Sequence, residues 1–176
     1  MSSVDMAYRA GSVIGAVIEG GAAAKLIDAV DAALLTQAAI TRSQYRAHVY
    51  LLLVAASLHA IHSASLDPTV ENAAARGLLD WCKQQSTEIA EVLSSEVDDA
   101  LEDYAGAFAL EGDRGDAPLS DLEYAFADRL FNLGLQNDER AAACARLALS
   151  KPLLWKTASF NAMETLRDAG LIPRVS

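Results

Sequence analysis

Apolar residues recur along the chain at spacings of three and four, and no alternating run of Val, Ile, Thr and aromatic residues bounded by turn signals interrupts them. The pattern predicts an all-α fold: one domain over 1–176, a compact multi-helix bundle of about six to eight helices with a buried central helix near residues 42–64. A first helix is expected from about Val4 to Ile18, stopping at Gly20 and Gly21, because paired glycines are poor helix formers and tolerate a left-handed turn. A second should run from about Ala22 to Ala39. Thr41 followed by Gln44 has the form of a capping box, in which each side chain satisfies an orphan backbone donor, so a long third helix should begin there and reach about Ala64. Asp67 before Pro68 repeats the start signal, with the aspartate as N-cap and the proline at the first helical position. From Val70 to Phe108 the apolar positions keep near-helical phase, compatible with one long helix or with two broken near Gln85 to Thr87.

Gly112, Gly115 and Pro118 punctuate a stretch with no apolar period, so 111–118 is expected to be an extended loop. Beyond it a helix from about Leu119 to Leu133 should end at Gly134, another should open near Asn137 or Asp138, and a last should begin at Pro152 and close at Gly170, Leu171 and Pro173. No repeat of roughly 20–50 residues and no low-complexity tract is present.

Composition sharpens this picture. Apolar residues make up 52% of the chain and aromatic ones 6%, so the interior should be Ala, Leu, Val and Ile, with helices in close approach. Ala7, Gly11 and Gly15, spaced by four, leave one strip of the first helix without bulk. Packing inside the bundle is the expected use of that strip, with a homodimer seam as the alternative. Cys82 and Cys144 form no Cys-x-x-Cys pair, which excludes a disulfide framework or zinc knuckle and predicts two reduced, buried thiols. Arg9, the apolar Ser12 to Ile18 and the small Ala22 to Ala24 mimic a secretory leader, but Asp5, Glu19 and the shortness of the apolar run argue for a cytoplasmic protein. Ala47 to Leu66 carries no Lys, Arg, Asp or Glu, yet its three histidines and three serines suit a helix buried by its neighbours better than a membrane span.

The chemistry-bearing residues exclude more than they assign. His48, His59 and His62 share one sector of the third helix, but eleven residues at about 1.5 Å each separate His48 from His59 by some 16 Å, so only two can converge on an ion. Neither the Glu-x-x-His of di-iron bundles nor the His-Glu-x-x-His of zinc proteases is present, so no metal and no cofactor are expected, and the histidines should be hydrogen-bonded and partly solvent-facing. Gly15 and Gly20 have phosphate-loop separation, but Gly21 stands where that motif needs lysine. There is no Gly-x-Ser-x-Gly elbow and no cysteine close to a histidine in sequence, which points away from an enzyme. Arg114, Gly115 and Asp116 spell an integrin tripeptide in what should be ordinary loop sequence.

Charge carries the functional signal. Between Gln84 and Asp128 thirteen carboxylates face one cation, Arg114, a balance of −12, while the rest of the chain stands at +2. Glu88, Glu91, Asp98, Asp99, Glu102 and Asp103 should project from one side of a helix whose other side carries Ile89, Val92, Leu93, Ala100 and Tyr104. Direct nucleic-acid binding is disfavoured for want of a basic patch. The expected function is a non-enzymatic interaction module, an inhibitor, immunity-like antagonist or adaptor, whose acidic helical face binds a basic protein partner. The alternative is a helical-bundle sensor of a ligand or metal built on the histidine-bearing third helix.

Overall fold

The computed structural model describes residues 2–28, 30, 32–110, 125, 126, 128–130 and 154–173, and these contain helices and no strand. Helix α1 (Ser3–Val17) passes through a π turn (Ile18–Ala23) into α2 (Ala24–Asp28). Helices α3 (Ala32–Gln37), α4 (Arg42–Ser63), α5 (Pro68–Lys83), α6 (Thr87–Leu110) and α7 (Leu154–Asp168) follow, with further helical residues at 125–126 and 128–130. The expected 111–118 loop, the helix near 137–138 and Cys144 lie outside the described residues, as does most of the helix expected over 119–133.

Side-chain caps account for several helix starts. Gln44 donates its N–H to Thr41 Oγ1 at 3.1 Å while Thr41 donates its own to Gln44 Oε1 at 2.9 Å, the predicted capping box. Asp67 accepts from the Thr69 N–H at 2.9 Å, with Pro68 at the first helical position. Ser2 and Asp5 form a second capping box, at 3.2 and 3.1 Å, that opens α1. Ser86 accepts from the Ile89 N–H at 3.2 Å, so the apolar run from Val70 to Phe108 is two helices broken at residues 84–86.

Two boundaries differ from expectation. Gly20 and Gly21 do not stop the first helix. Neither takes a positive φ, and both sit in the π turn, which absorbs the irregularity while Ile18 and Ala23 on either side stay buried. The predicted helix over 22–39 is interrupted, because α2 ends at Asp28 and Val30 leaves the helical path. Arg42 supports that end by donating to the Ile27 carbonyl at 3.3 Å and facing Asp28 at 3.8 Å. Helix α3 then closes on a residue with no glycine signal: Ala39 has φ 53°, its N–H meets the Thr36 carbonyl at 3.1 Å, and Ile40 reaches Leu35 at 3.0 Å. The end of α7 makes the same pair of bonds from Gly170, at φ 71°, to Arg167 and from Leu171 to Leu166, both 2.9 Å, as predicted.

Helix α4 lies at the centre of the packing. Every residue from Ala47 to Ser57 is buried, with α5, α6, α7, α2 and the π turn against it. Ala158, Ala162 and Leu166, spaced by four, give α7 its buried row, and Ser159 donates to the Ala56 carbonyl at 3.2 Å. Fully burying a side chain such as Leu93 or Leu53 contributes about 2 kcal/mol, and α4 supplies many of them.

Helix α1 packs most closely on α5. A methyl group at Gly11 would stand 1.9 Å from the Ala74 carbonyl oxygen, one at Gly77 would stand 2.0 Å from the Tyr8 oxygen, and one at Gly15 would strike the Trp81 ring at 2.8 Å. The strip of Ala7, Gly11 and Gly15 is therefore filled from within the chain. Ser12 and Tyr8 add polar ties, to the Gly77 carbonyl at 3.4 Å and to the Asp80 carboxylate at 3.1 Å. Helix propensity alone favours Gly77→Ala by about 1 kcal/mol, but the overlap forces the helices apart, and a net loss of about 2 kcal/mol is expected. Gly106→Ala on α6, where no described residue lies within 4 Å, should instead raise stability by up to about 1 kcal/mol. Urea unfolding of the two variants checks both signs.

Candidate functional site

Helix α6 owes its orientation to one row of side chains. Ile89, Leu93, Ala100 and Tyr104 are fully buried, chiefly against α4, and Val92, Val97 and Leu101 pack at the edge of that row. What remains is the solvent side, and Glu88, Glu91, Asp98, Asp99, Glu102 and Asp103 are all exposed on it. At about 100° per residue they fall into two columns: Glu91, Asp98 and Glu102 along one edge, Glu88, Asp99 and Asp103 along the other.

The second column meets counter-charge. Arg129, one residue past the acidic stretch counted in the sequence, reaches Glu96 at 2.9 Å and also pairs with Asp103. It is only 18% exposed, so this pair is less screened than a typical surface bridge. Glu88 sits at the start of α6, where hydrogen bonds from its own backbone N–H and from Ser86 hold its carboxyl below the usual range. Among the described residues no Lys or Arg pairs with Glu91, Asp98, Asp99 or Glu102. Among the described residues the first column is thus a row of carboxylates without Lys or Arg partners, about 16 Å long, eleven residues at helical rise.

The first column borders a groove. Between α4, α5 and α6 lies an open cavity of about 420 Å³ whose apolar wall includes Leu58, Ile61, Leu79, Val97 and Leu101. Asp98 stands on its α6 rim, and His59, His62 and Glu71 line the opposite side. His62 Nδ1 lies 2.9 Å from Glu71 Oε1, which holds that rim together. Sequence reasoning missed both Arg129 and the groove. The i, i+4 pair Val97 and Leu101 was visible as apolar, but nothing local distinguishes a groove wall from a core position.

The histidines do not form a set. His59 and His62 share the groove, partly open to water, whereas His48 is buried at 5% exposure, a correction to the expectation that all three partly face solvent. The reason is the all-round burial of α4 from Ala47 to Ser57. Burial pushes the His48 imidazole below its ordinary value; the nearby Glu96 carboxylate opposes the shift and Arg129 adds to it. Burial also lowers His59, with His62 contributing. No group of three or more His, Cys, Asp or Glu is placed to hold a metal ion among the described residues.

Other motifs have structural roles. Cys82 is free and buried, with its thiol pushed up to about 12, which keeps it protonated and unreactive. Gly15 lies inside α1 under Trp81, so no phosphate loop exists there. Arg114, Gly115 and Asp116 lie outside the described residues. No described helix is long and apolar enough to cross a membrane. A second groove, between α1 and α5, holds Arg9 and Arg76, but Arg76 faces Asp80 at 3.5 Å and Asp5 lines the same wall, so it is not a basic patch. Compared with protein-family models, curated proteins and solved structures, the chain matches none of them.

The buried His48 makes stability depend on pH. Its folded imidazole takes a proton less readily than the unfolded one, so the unfolded chain binds more protons in the window below the ordinary value of 6.5. Stability is full above that value and falls as the pH drops below it, until the folded imidazole itself protonates. His48→Gln should flatten this fall, and His59, acting in the same sense, leaves a residual slope. Urea midpoints of the protein and the variant, compared between about pH 7 and about pH 5, measure the difference.

Proposed function

We propose that this chain is a cytosolic, non-enzymatic interaction module, an inhibitor, immunity-like antagonist or adaptor, that binds a basic surface of a partner protein through the acidic face of α6. The observation that carries this reading is the exposed row of Glu91, Asp98 and Glu102, set by the buried row behind it and left without Lys or Arg partners among the described residues. Glu88, Asp99 and Asp103 extend the field to the far edge of the helix, where Arg129 partly offsets it. Like charges at i, i+4, as Asp98 and Glu102 are, repel by a few tenths of a kcal/mol, a cost that solubility alone does not require. A partner bearing Lys and Arg relieves that repulsion, and the summed field steers its approach.

The experiment is the combined variant Glu91→Gln, Asp98→Asn and Glu102→Gln. Its thermal stability should hold or rise slightly, because exposed like charges are removed. Basic proteins captured from the host at low salt and released at high salt should associate with the variant more slowly and with weaker dependence on ionic strength, since screening acts over about 10 Å. Unchanged association kinetics and salt dependence, read by surface plasmon resonance against the captured protein, would reduce the row to a solubility device.

A further inference from the structure

The groove between α4, α5 and α6 runs alongside the row of Glu91, Asp98 and Glu102, and the two together form one surface. From α6 the groove wall takes Val97, Leu101 and Ala105, so it follows the helix for about 12 Å, two turns at helical rise. Its floor is aliphatic, with Leu58, Ile61 and Leu79 contributed by α4 and α5. Its rims are not. Asp98 stands on one rim, in line with Glu91 and Glu102, and Glu71 on the other, oriented by its hydrogen bond to His62.

We infer that this groove is the docking site for a cationic amphipathic helix of a partner protein, whose apolar side chains enter between α4, α5 and α6 while its flanking Lys and Arg meet Glu91, Asp98 and Glu102 on one side and Glu71 on the other. The inference rests on the proposed acidic-face function and names the class of its partner. Charge complementarity selects this occupant over others. A small organic cation in the groove would use one carboxylate and leave a row about 16 Å long unanswered, whereas a helix repeats both its apolar and its basic positions at the spacing this surface offers. A second copy of this chain brings a net charge of −10 to an acidic surface and is repelled. An aliphatic slot flanked by charge is also where binding energy concentrates, with apolar anchors supplying affinity and the charged rims supplying orientation and rate.

The test uses the full chain and a labelled synthetic peptide of about 18 residues, Leu and Lys only, with leucines at i, i+3, i+4 and i+7. Two controls share its length: a scrambled order of the same residues, and the helical pattern with glutamine in place of leucine. Fluorescence anisotropy should show the patterned peptide binding at least about tenfold more tightly than either control, with circular dichroism reporting helix formation on binding. Ala105→Trp from α6 and Ala75→Phe from α5 each fill the groove without altering charge, and either folded variant should lose about tenfold in affinity. Equal binding of patterned and scrambled peptides, or unchanged affinity in both filled variants, would overturn the inference. The neutralised triple variant separates the two ideas. If it loses binding to the captured basic protein while the filled variants retain it, the groove inference fails and the acidic-face reading stands; if none of the variants changes that binding, both fail.

Discussion

Between Ala47 and Ser57 helix α4 leaves no side chain in water, and that burial governs how its neighbours can sit. A helix apolar all round has no stripe of its own to choose a partner's position. The choice passes to the surrounding helices, each of which brings one narrow row to it: Ile89, Leu93, Ala100 and Tyr104 on α6, and Ala158, Ala162 and Leu166 on α7. The rotation of α6, and hence the direction of its carboxylates, follows from its own row. Moving Leu93 off the core would expose a large apolar side chain and carry charge toward a low-dielectric interior, so the acidic face is a consequence of the packing.

The α1 and α5 pair illustrates which sequence signals survive folding. Gly11 and Gly15 were legible as a strip because their spacing matches helical geometry, and Gly77 on α5 completes the close approach by lacking a side chain where the Tyr8 carbonyl passes. Gly20 and Gly21 carried the opposite message, that the helix should stop. Helix propensity is a local term of about 1 kcal/mol per glycine, smaller than the benefit of keeping Ile18 and Ala23 on the core, and the chain takes a π turn through them. Ala39 shows the same override in reverse. An alanine at φ 53° is strained by about 1 kcal/mol, yet the turn there brings Ile40 into the core and satisfies two carbonyls at the end of α3.

The candidate site divides along similar lines. That six carboxylates share the outer face of α6 was visible from helical phase, because the signal lies within one helix. Pairing was not visible, because Arg129 meets Glu96 and Asp103 across more than twenty intervening residues that carry no sign of the contact. The three histidines looked equivalent in one sector, but their environments are set by what lies opposite: His48 near Glu96 and Arg129 in the interior, His59 in a groove, His62 against Glu71 in the open. The groove itself belongs to three helices at once and has no signature in any one of them.

How the described cations are used bears most directly on function. Arg42 faces Asp28, Arg46 faces Glu19 at 3.6 Å, Arg76 faces Asp80, Arg167 pairs with Glu164, and Arg129 takes Glu96 and Asp103. Most of these are exposed pairs that contribute well under about 1 kcal/mol, so stability places little demand on where they fall. They nonetheless leave Glu91, Asp98 and Glu102 in register beside an aliphatic slot. Adding a neighbouring lysine would stabilise the fold by only a few tenths of a kcal/mol, which is too little for folding alone to decide whether a cation stands beside that row. Its effect on an approaching cation is of another order, because the fields of aligned like charges add while pairwise neutralisation cancels them. A row that is nearly neutral for folding and strong for encounter is therefore the feature on which the proposed binding role rests.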